Sequence, residues 1–259
     1  MTDWHCSDLA KAASAHYAGD HSLHADHERA HEIYQTSTMS ALMAAAYDGT
    51  VTYGEMARHG DFGVGTFNGL DGEMVALNGQ FFHLHSDGAA SVADPSDQTP
   101  FAVVTFFRGD TRRAIDQKTG RHELEAMIDE LGPAARHFYP VRVDGRFGHI
   151  VTRTAARQAA PYRPLEQATA DQVVSRFSDI NGTLVGFRAP DYAQGLTGAG
   201  YHFHFIDDAR RSGGHVFDFT LDSGTLLVDD DVDLHVELPE AAVVDGQPSG
   251  ASLTGGTLS

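Results

Sequence analysis

Three histidines carry the chemistry that the residues of this chain suggest first. The run Tyr201-His202-Phe203-His204-Phe205-Ile206 alternates imidazole with aromatic, and a β-strand turns successive side chains to opposite faces. His202 and His204 therefore share one face, and Phe203 and Phe205 take the other. Eleven residues after His204, Gly213-Gly214 leads into His215. The segment between contains Asp207, Asp208, Arg210, Arg211 and Ser212 and reads as the loop of a hairpin. A roughly symmetrical loop puts His204 opposite His215. Directly opposed residues point the same way, with Cβ atoms roughly 4.5 to 5.5 Å apart, so three imidazoles converge on one patch. Three histidines with an open fourth position are the ligand set of a catalytic zinc, whereas a fourth protein ligand makes a structural one. The bland alternative is a chance His-x-His pair in a chain with 16 histidines.

Neutral imidazoles leave such a cation its full double positive charge, a Lewis acid able to polarise a carbonyl or stabilise an oxyanion. Proton handling then calls for a carboxylate, and an anionic substrate for an arginine. Glu73 stands in a Gly-rich segment where a backbone turn can present its side chain. Arg153, in Val151-Thr152-Arg153-Thr154, lies on a strand among β-branched neighbours, an odd place for a charge unless it faces a polar cavity. Pattern alone favours reading each as a surface charge.

Two other histidine pairs copy useful spacings. His83-x-His85 has no third histidine in register and is expected to be an exposed strand face. His27 and His31 would share a helical face, but they sit in a polar stretch expected to be a solvated arm.

The elements that must position these residues follow from local pattern. Ile33-Tyr34-Gln35 begins the order, and Ser37 or Thr38 caps a helix through Met39, Leu42, Met43 and Ala46, ended by Asp48-Gly49. A short helix is expected at 53–59. The glycines from Gly60 to Gly72 forbid a long helix and suggest strand, tight turn, strand, with spacing that fits no phosphate loop. Met74–Leu77, the Asn78-Gly79 turn and Gln80–His85 form a hairpin. A strand at 99–107, a loop at 110–117 and a helix at 122–131 follow. Phe138–Asp144 and Phe147–Thr154, separated at Gly145, read as a second hairpin. Beyond a linker rich in Ala, Pro and Arg (155–165) come strands at 175–177, 183–188, the histidine hairpin, 225–228 and 232–238. Strands outnumber helices, so the class is α+β. The expected division is a polar His-rich arm at 1–30, an N-terminal sheet domain at 31–160, a C-terminal β-rich metal-binding domain at 161–240, and a loose tail at 241–259.

Composition narrows the partners. Acidic residues number 36 against 18 basic, a formal charge of -18 that opposes nucleic acid and anionic membranes. One cysteine, Cys6, excludes an internal disulfide framework and any Cys-x-x-Cys zinc motif. The first residues are neither basic nor followed by an apolar core, and the longest apolar stretch, around 39–47, is too short to span a bilayer. A cytoplasmic protein is expected.

Four segments together resemble the α-acetolactate decarboxylase family. They are Tyr34-Gln35-Thr36-Ser37-Thr38-Met39-Ser40-Ala41-Leu42; His59-Gly60-Asp61-Phe62-Gly63-Val64-Gly65-Thr66-Phe67-Asn68 running on to Leu70-Asp71-Gly72-Glu73; Thr152-Arg153-Thr154 with Gln158 and Pro161-Tyr162; and Gly182-Thr183-Leu184-Val185-Gly186-Phe187 leading to the histidine hairpin. The likeness runs from about residue 33 to 239. It implies two domains on mixed β-sheets, the second barrel-like and carrying the metal hairpin, in a homodimer. It also implies zinc-dependent loss of carbon dioxide from 2-acetolactate to give acetoin. By position His202, His204 and His215 match the family's zinc ligands, Glu73 its proton-handling glutamate, Arg153 its substrate-meeting arginine and Thr66 a threonine of the same pocket. Zinc would stabilise the enediolate left when carbon dioxide departs, and Glu73 would protonate it.

One departure stands out. The family pattern carries a further glutamate near the C-terminus that reaches the active site, and here Glu240 is the last glutamate. Glu237 or Glu240 substitutes, water fills the place, or activity is reduced. A zinc-dependent small-metabolite binding protein without turnover is the alternative function.

Overall fold

The computed structural model describes residues 31–131, 137–231 and 233–238. The expected arm at 1–30, with His27, and the expected tail at 241–259 lie outside them. The chain runs β1 (Glu32–Thr36), α1 (Met39–Met43), β2 (Val51–Thr52), α2 (Tyr53–Met56) and β3 (Phe62–Thr66). It continues through β4 (Glu73–Leu77), β5 (Gln80–Leu84), β6 (Ala90–Val92), β7 (Gln98–Thr99), β8 (Phe101–Thr105), β9 (Thr111–Ile115) and β10 (Thr119–Gly120). Then come α3 (Arg121–Asp129), β11 (Tyr139–Thr154), α4 (Leu165–Ala168), β12 (Val173–Ala189), β13 (Gly200–Asp207), β14 (Gly213–Val228) and β15 (Asp233–Glu237). Sheet dominates and the helices are short, an α+β chain. Among the described residues no helix is long and apolar enough to cross a membrane.

The first sheet has the order β15-β1-β8-β3-β4-β5-β6. It is mixed, because β15 runs parallel to β1 while its other ladders are antiparallel. The Gly-rich stretch and the Asn78-Gly79 hairpin form as their turn chemistry requires: Asn78 and Gly79 take φ of 53° and 79°, the left-handed pair of a tight hairpin turn. Thr38 caps α1 by accepting from Ala41 N, and Thr52 and Glu55 cap α2 reciprocally. Both helices end earlier than their apolar pattern suggests.

The second sheet is antiparallel throughout its ladders. β11 pairs with β12, β12 with β13, β13 with β14, and β14 returns to β11, so the four strands form a closed circuit. Phe147, Phe203, Phe205 and Phe219 pack on one face of these strands with Leu124 and Ile128 of α3. On the other face Val185, Phe187 and Ile206 pack against Val64, Val75 and Leu84 of the first sheet. The alternation of β13 thus turns its phenylalanines into one core and its histidines towards the neighbouring sheet.

Three local expectations are corrected. Residues 139–154 are one continuous strand and not a hairpin, although Gly145 looks like a turn. Gly145 lies between Gly182 and Gly224 on its two neighbours, and a Cβ on it would meet Ser223 O at 2.5 Å. The glycine serves the close approach of strands where the register shifts, at Arg146 and Phe147. For the same reason the separate segments expected at 175–177 and 183–188 merge into β12. The loop expected at 110–117 contains β9, which pairs with β14; four of its five residues are exposed, so no apolar alternation marks it. The expected divide at 160/161 does not coincide with the change of sheet either. β9, β10 and β11 already belong to the second sheet, and β15 returns to the first.

Candidate metal centre

The β13–β14 ladder sets His204 directly opposite His215, and strand alternation brings His202 to the same face. Ring centroids stand 5.0 Å apart for His202 and His204, 4.8 Å for His202 and His215, and 5.3 Å for His204 and His215. One ligand nitrogen from each lies within 4.8 Å of the others. Gly214, immediately before His215, has φ of 155°, and a Cβ there would meet Thr154 Oγ1 at 2.7 Å. Only a residue without a side chain lets β14 lie this close to β11.

The buried His204 has its tautomer fixed. Its Nδ1 is 2.8 Å from the Met74 carbonyl, which can only accept, so Nδ1 carries the hydrogen and Nε2 keeps a lone pair. His202 Nε2 lies 3.1 Å from that Nε2. Nitrogens bound at 2.0 to 2.1 Å to a tetrahedral zinc stand about 3.3 Å apart, so this pair fits the ion. Burial lowers the proton affinity of all three rings: His202 falls to about 4, with Arg153 and Arg121 adding to the effect, and His204 and His215 fall well below the ordinary range. Neutral imidazoles are the form a metal requires.

Glu73, the first residue of β4, puts Oε2 3.5 Å from His204 Nε2. Burial raises its carboxyl to about 8, with Arg153 pulling the other way. Thr66 faces Glu73 across the β3–β4 ladder, and its hydroxyl donates to the Gly72 carbonyl at 2.6 Å, tying the turn that presents Glu73. Arg153 lies opposite His215 on β11, its guanidinium 5.8 Å from the Phe217 ring centroid. Glu73, Arg153, Thr66, His202 and His215 all line one cavity of about 370 Å³, with Met39 and Leu42 among its apolar walls. His204, fully buried, is not among the lining residues.

Other singled-out residues lie elsewhere. The Tyr34 hydroxyl donates to Glu237, and Glu237 is not among the residues lining this cavity. Glu240 lies outside the described residues. His83 is partly buried, stacked on Phe67 at 3.7 Å, with Nε2 donating to the Asp71 carbonyl at 2.6 Å. That packing differs from the exposed strand face expected of it. No further His, Cys, Asp or Glu joins the triad as a fourth ligand among the described residues. Sequence reasoning missed Arg121, whose guanidinium reaches the backbone beside His202 and His215. No sequence signal distinguished it, since the expected helix began one residue later than the observed one.

The chain is similar to known proteins along most of its length. The family described as alpha-acetolactate decarboxylase matches residues 33–245. The alpha-acetolactate decarboxylase of Methylococcus capsulatus is 47% identical over 210 residues, 81% of each chain. That of Klebsiella aerogenes is 46% identical over 207 residues, 80% of each chain. The crystal structure of alpha-acetolactate decarboxylase from Bacillus subtilis strain 168 superposes with a TM-score of 0.80 at 41% identity, covering 83% of this chain and 94% of that one. With most of its length matched at this identity, the chain belongs to the α-acetolactate decarboxylase family.

Proposed function

We propose that this protein is a lyase that decarboxylates 2-acetolactate to acetoin at the cavity floored by His202 and His215, with the histidine triad holding zinc. The observation that carries this reading is the convergence of three neutral imidazoles, with Glu73 beside them, in a family member. A zinc ion bound there would supply positive charge to an oxygen anion as it develops.

The chain's own residues do the rest. The Arg153 guanidinium meets the substrate carboxylate, a charge-assisted contact that orients the bond to be broken. Met39 and Leu42 give the methyl groups an apolar wall. As that bond breaks, carbon dioxide leaves and the electron pair stays with the remaining carbon and its oxygens. Glu73 then delivers a proton from its carboxyl to that carbon, on the face it occupies, giving acetoin. Thr66 holds the turn that aims Glu73. The same reading takes the closed strand circuit as a barrel-like unit. It places the protein in the cytoplasm as a homodimer acting on a small molecule, without nucleic acid.

The second reading, a zinc-dependent metabolite binder without turnover, is favoured only by the position of Glu237, bonded to Tyr34 and absent from the cavity lining. Addition of 2-acetolactate to purified, zinc-loaded protein, following carbon dioxide and acetoin, separates the two. Product at only the spontaneous rate rejects the lyase.

A further inference from the structure

Two strands part beside the histidine patch. The β13–β14 ladder contains three opposed pairs, His204 with His215, Phe205 with Gly214 and Ile206 with Gly213. There it stops, although His202 lies two residues further along β13. No β13–β14 ladder pair therefore ties His202 to β14 directly, and its distance from His215 is set only the long way round, through β12 and β11.

Arg121, the first residue of α3, reaches across that gap. Its Nη1 donates to the Val216 and Phe217 carbonyls of β14 at 3.2 and 2.8 Å, and its Nη2 to the Tyr201 carbonyl of β13 at 3.4 Å. Val216 directly follows His215, and Tyr201 directly precedes His202. The fork is itself held, because Nε donates to Glu125 Oε1 at 2.8 Å. The helix has a second grip on β13 through the Tyr201 hydroxyl, 2.8 Å from the Glu125 carbonyl.

We propose that Arg121 is a positioning residue, a clamp between β13 and β14 that sets the distance from His202 to His215 and thereby the tightness with which the triad holds a divalent cation. The proposal rests on the triad being a metal site. A planar guanidinium suits the task because its donors form a rigid fork that spans several carbonyls, whereas lysine offers the same charge at a single point. Groups that orient metal ligands without touching the metal typically contribute about 10- to 100-fold in affinity.

Zinc affinity by chelator competition, and the visible absorption of the cobalt(II)-substituted protein, test this in Arg121→Lys and Arg121→Met. Both variants are expected to bind zinc about 10- to 100-fold more weakly, with displaced cobalt bands. Arg113→Lys, which alters a surface arginine paired with Glu130 at the far end of α3, is expected to match the wild type. Lysine at 121 giving wild-type affinity and spectrum overturns the clamp, whether or not methionine weakens binding, because charge alone then suffices. Glu125→Ala frees the guanidinium while leaving its carbonyl partners in place, and is expected to weaken zinc several-fold. If the Arg121 variants do not fold, that variant decides, and unchanged affinity in it refutes the proposal. A wild-type protein that binds no stoichiometric zinc sinks the metal reading itself, a failure visible before any variant is made.

Discussion

Asp231 offers a quantitative test of the packing between the two sheets. The residue is 1% exposed. Thr105 Oγ1 donates to Oδ2 at 3.0 Å, and His31 Nδ1 stands 3.7 Å from Oδ1. Burial is the main cause that raises its pKa from 3.8 to about 7; the Thr105 bond opposes the rise, and Asp229, Asp230 and Asp110 add to it. The folded state therefore binds the proton more tightly than the unfolded chain. Between about pH 4 and 7 the native protein carries more protons, so stability falls as pH rises through that window and levels off above it. The full difference corresponds to about 4 kcal/mol as an upper figure. Asp231→Asn keeps an acceptor for Thr105 and removes the titration. The variant is expected to be more stable than the wild type at pH 8 by about 2 to 4 kcal/mol and to lose this part of the slope. Urea unfolding across about pH 5 to 8 measures both curves. Parallel curves, or a variant less stable at the alkaline end, refute the reasoning.

Three further outcomes are expected at the site. Glu73→Gln keeps zinc binding while kcat falls by about 100- to 10,000-fold, the usual weight of a proton-transfer group; steady-state acetoin formation beside metal analysis reads both, and wild-type turnover removes Glu73 from the mechanism. Arg153→Gln lowers kcat/KM by about 10- to 100-fold, the worth of one charge-assisted contact, and an unchanged value means that the carboxylate binds elsewhere. Stripping the metal with a chelator lowers the thermal midpoint and readdition restores it, since free zinc at about 1,000 times its Kd stabilises the folded state by about 4 kcal/mol. A midpoint indifferent to zinc contradicts the triad as a metal site.

The site was legible because its grammar is local. Alternation along 201–206 and a polar loop of readable length were enough to put His204 opposite His215, as the β13–β14 register does. The Asn78-Gly79 hairpin was equally plain, for only a few residue pairs accept two left-handed positions in succession. What escaped depends on neighbours distant in sequence. Gly145 means a turn in isolation and a tight passage between Gly182 and Gly224 in the sheet. β9 owes its existence to the edge of β14 and not to its own exposed residues. Arg121 has no motif, since its partners are backbone carbonyls 80 and 95 to 96 positions away. Pattern flagged Glu73 and Arg153 but weighed each as a surface charge; family resemblance supplied their roles, and the fold brings both to the cavity wall.

The closed circuit of β11, β12, β13 and β14 has a consequence for error tolerance. At the edge of an open sheet a strand can slide by one residue and disturb a single ladder, and such a slip swaps every side chain to the opposite face. Here a one-residue slide of β13 must be answered by its partners on both sides, and theirs by each other, until the shift comes back to where it started. Misthreading that would bury the imidazoles among phenylalanines is thus opposed by the ladders on both sides of β13 at once. A patch that must hold three nitrogens to fractions of an ångström draws its accuracy from connectivity as well as from its own contacts.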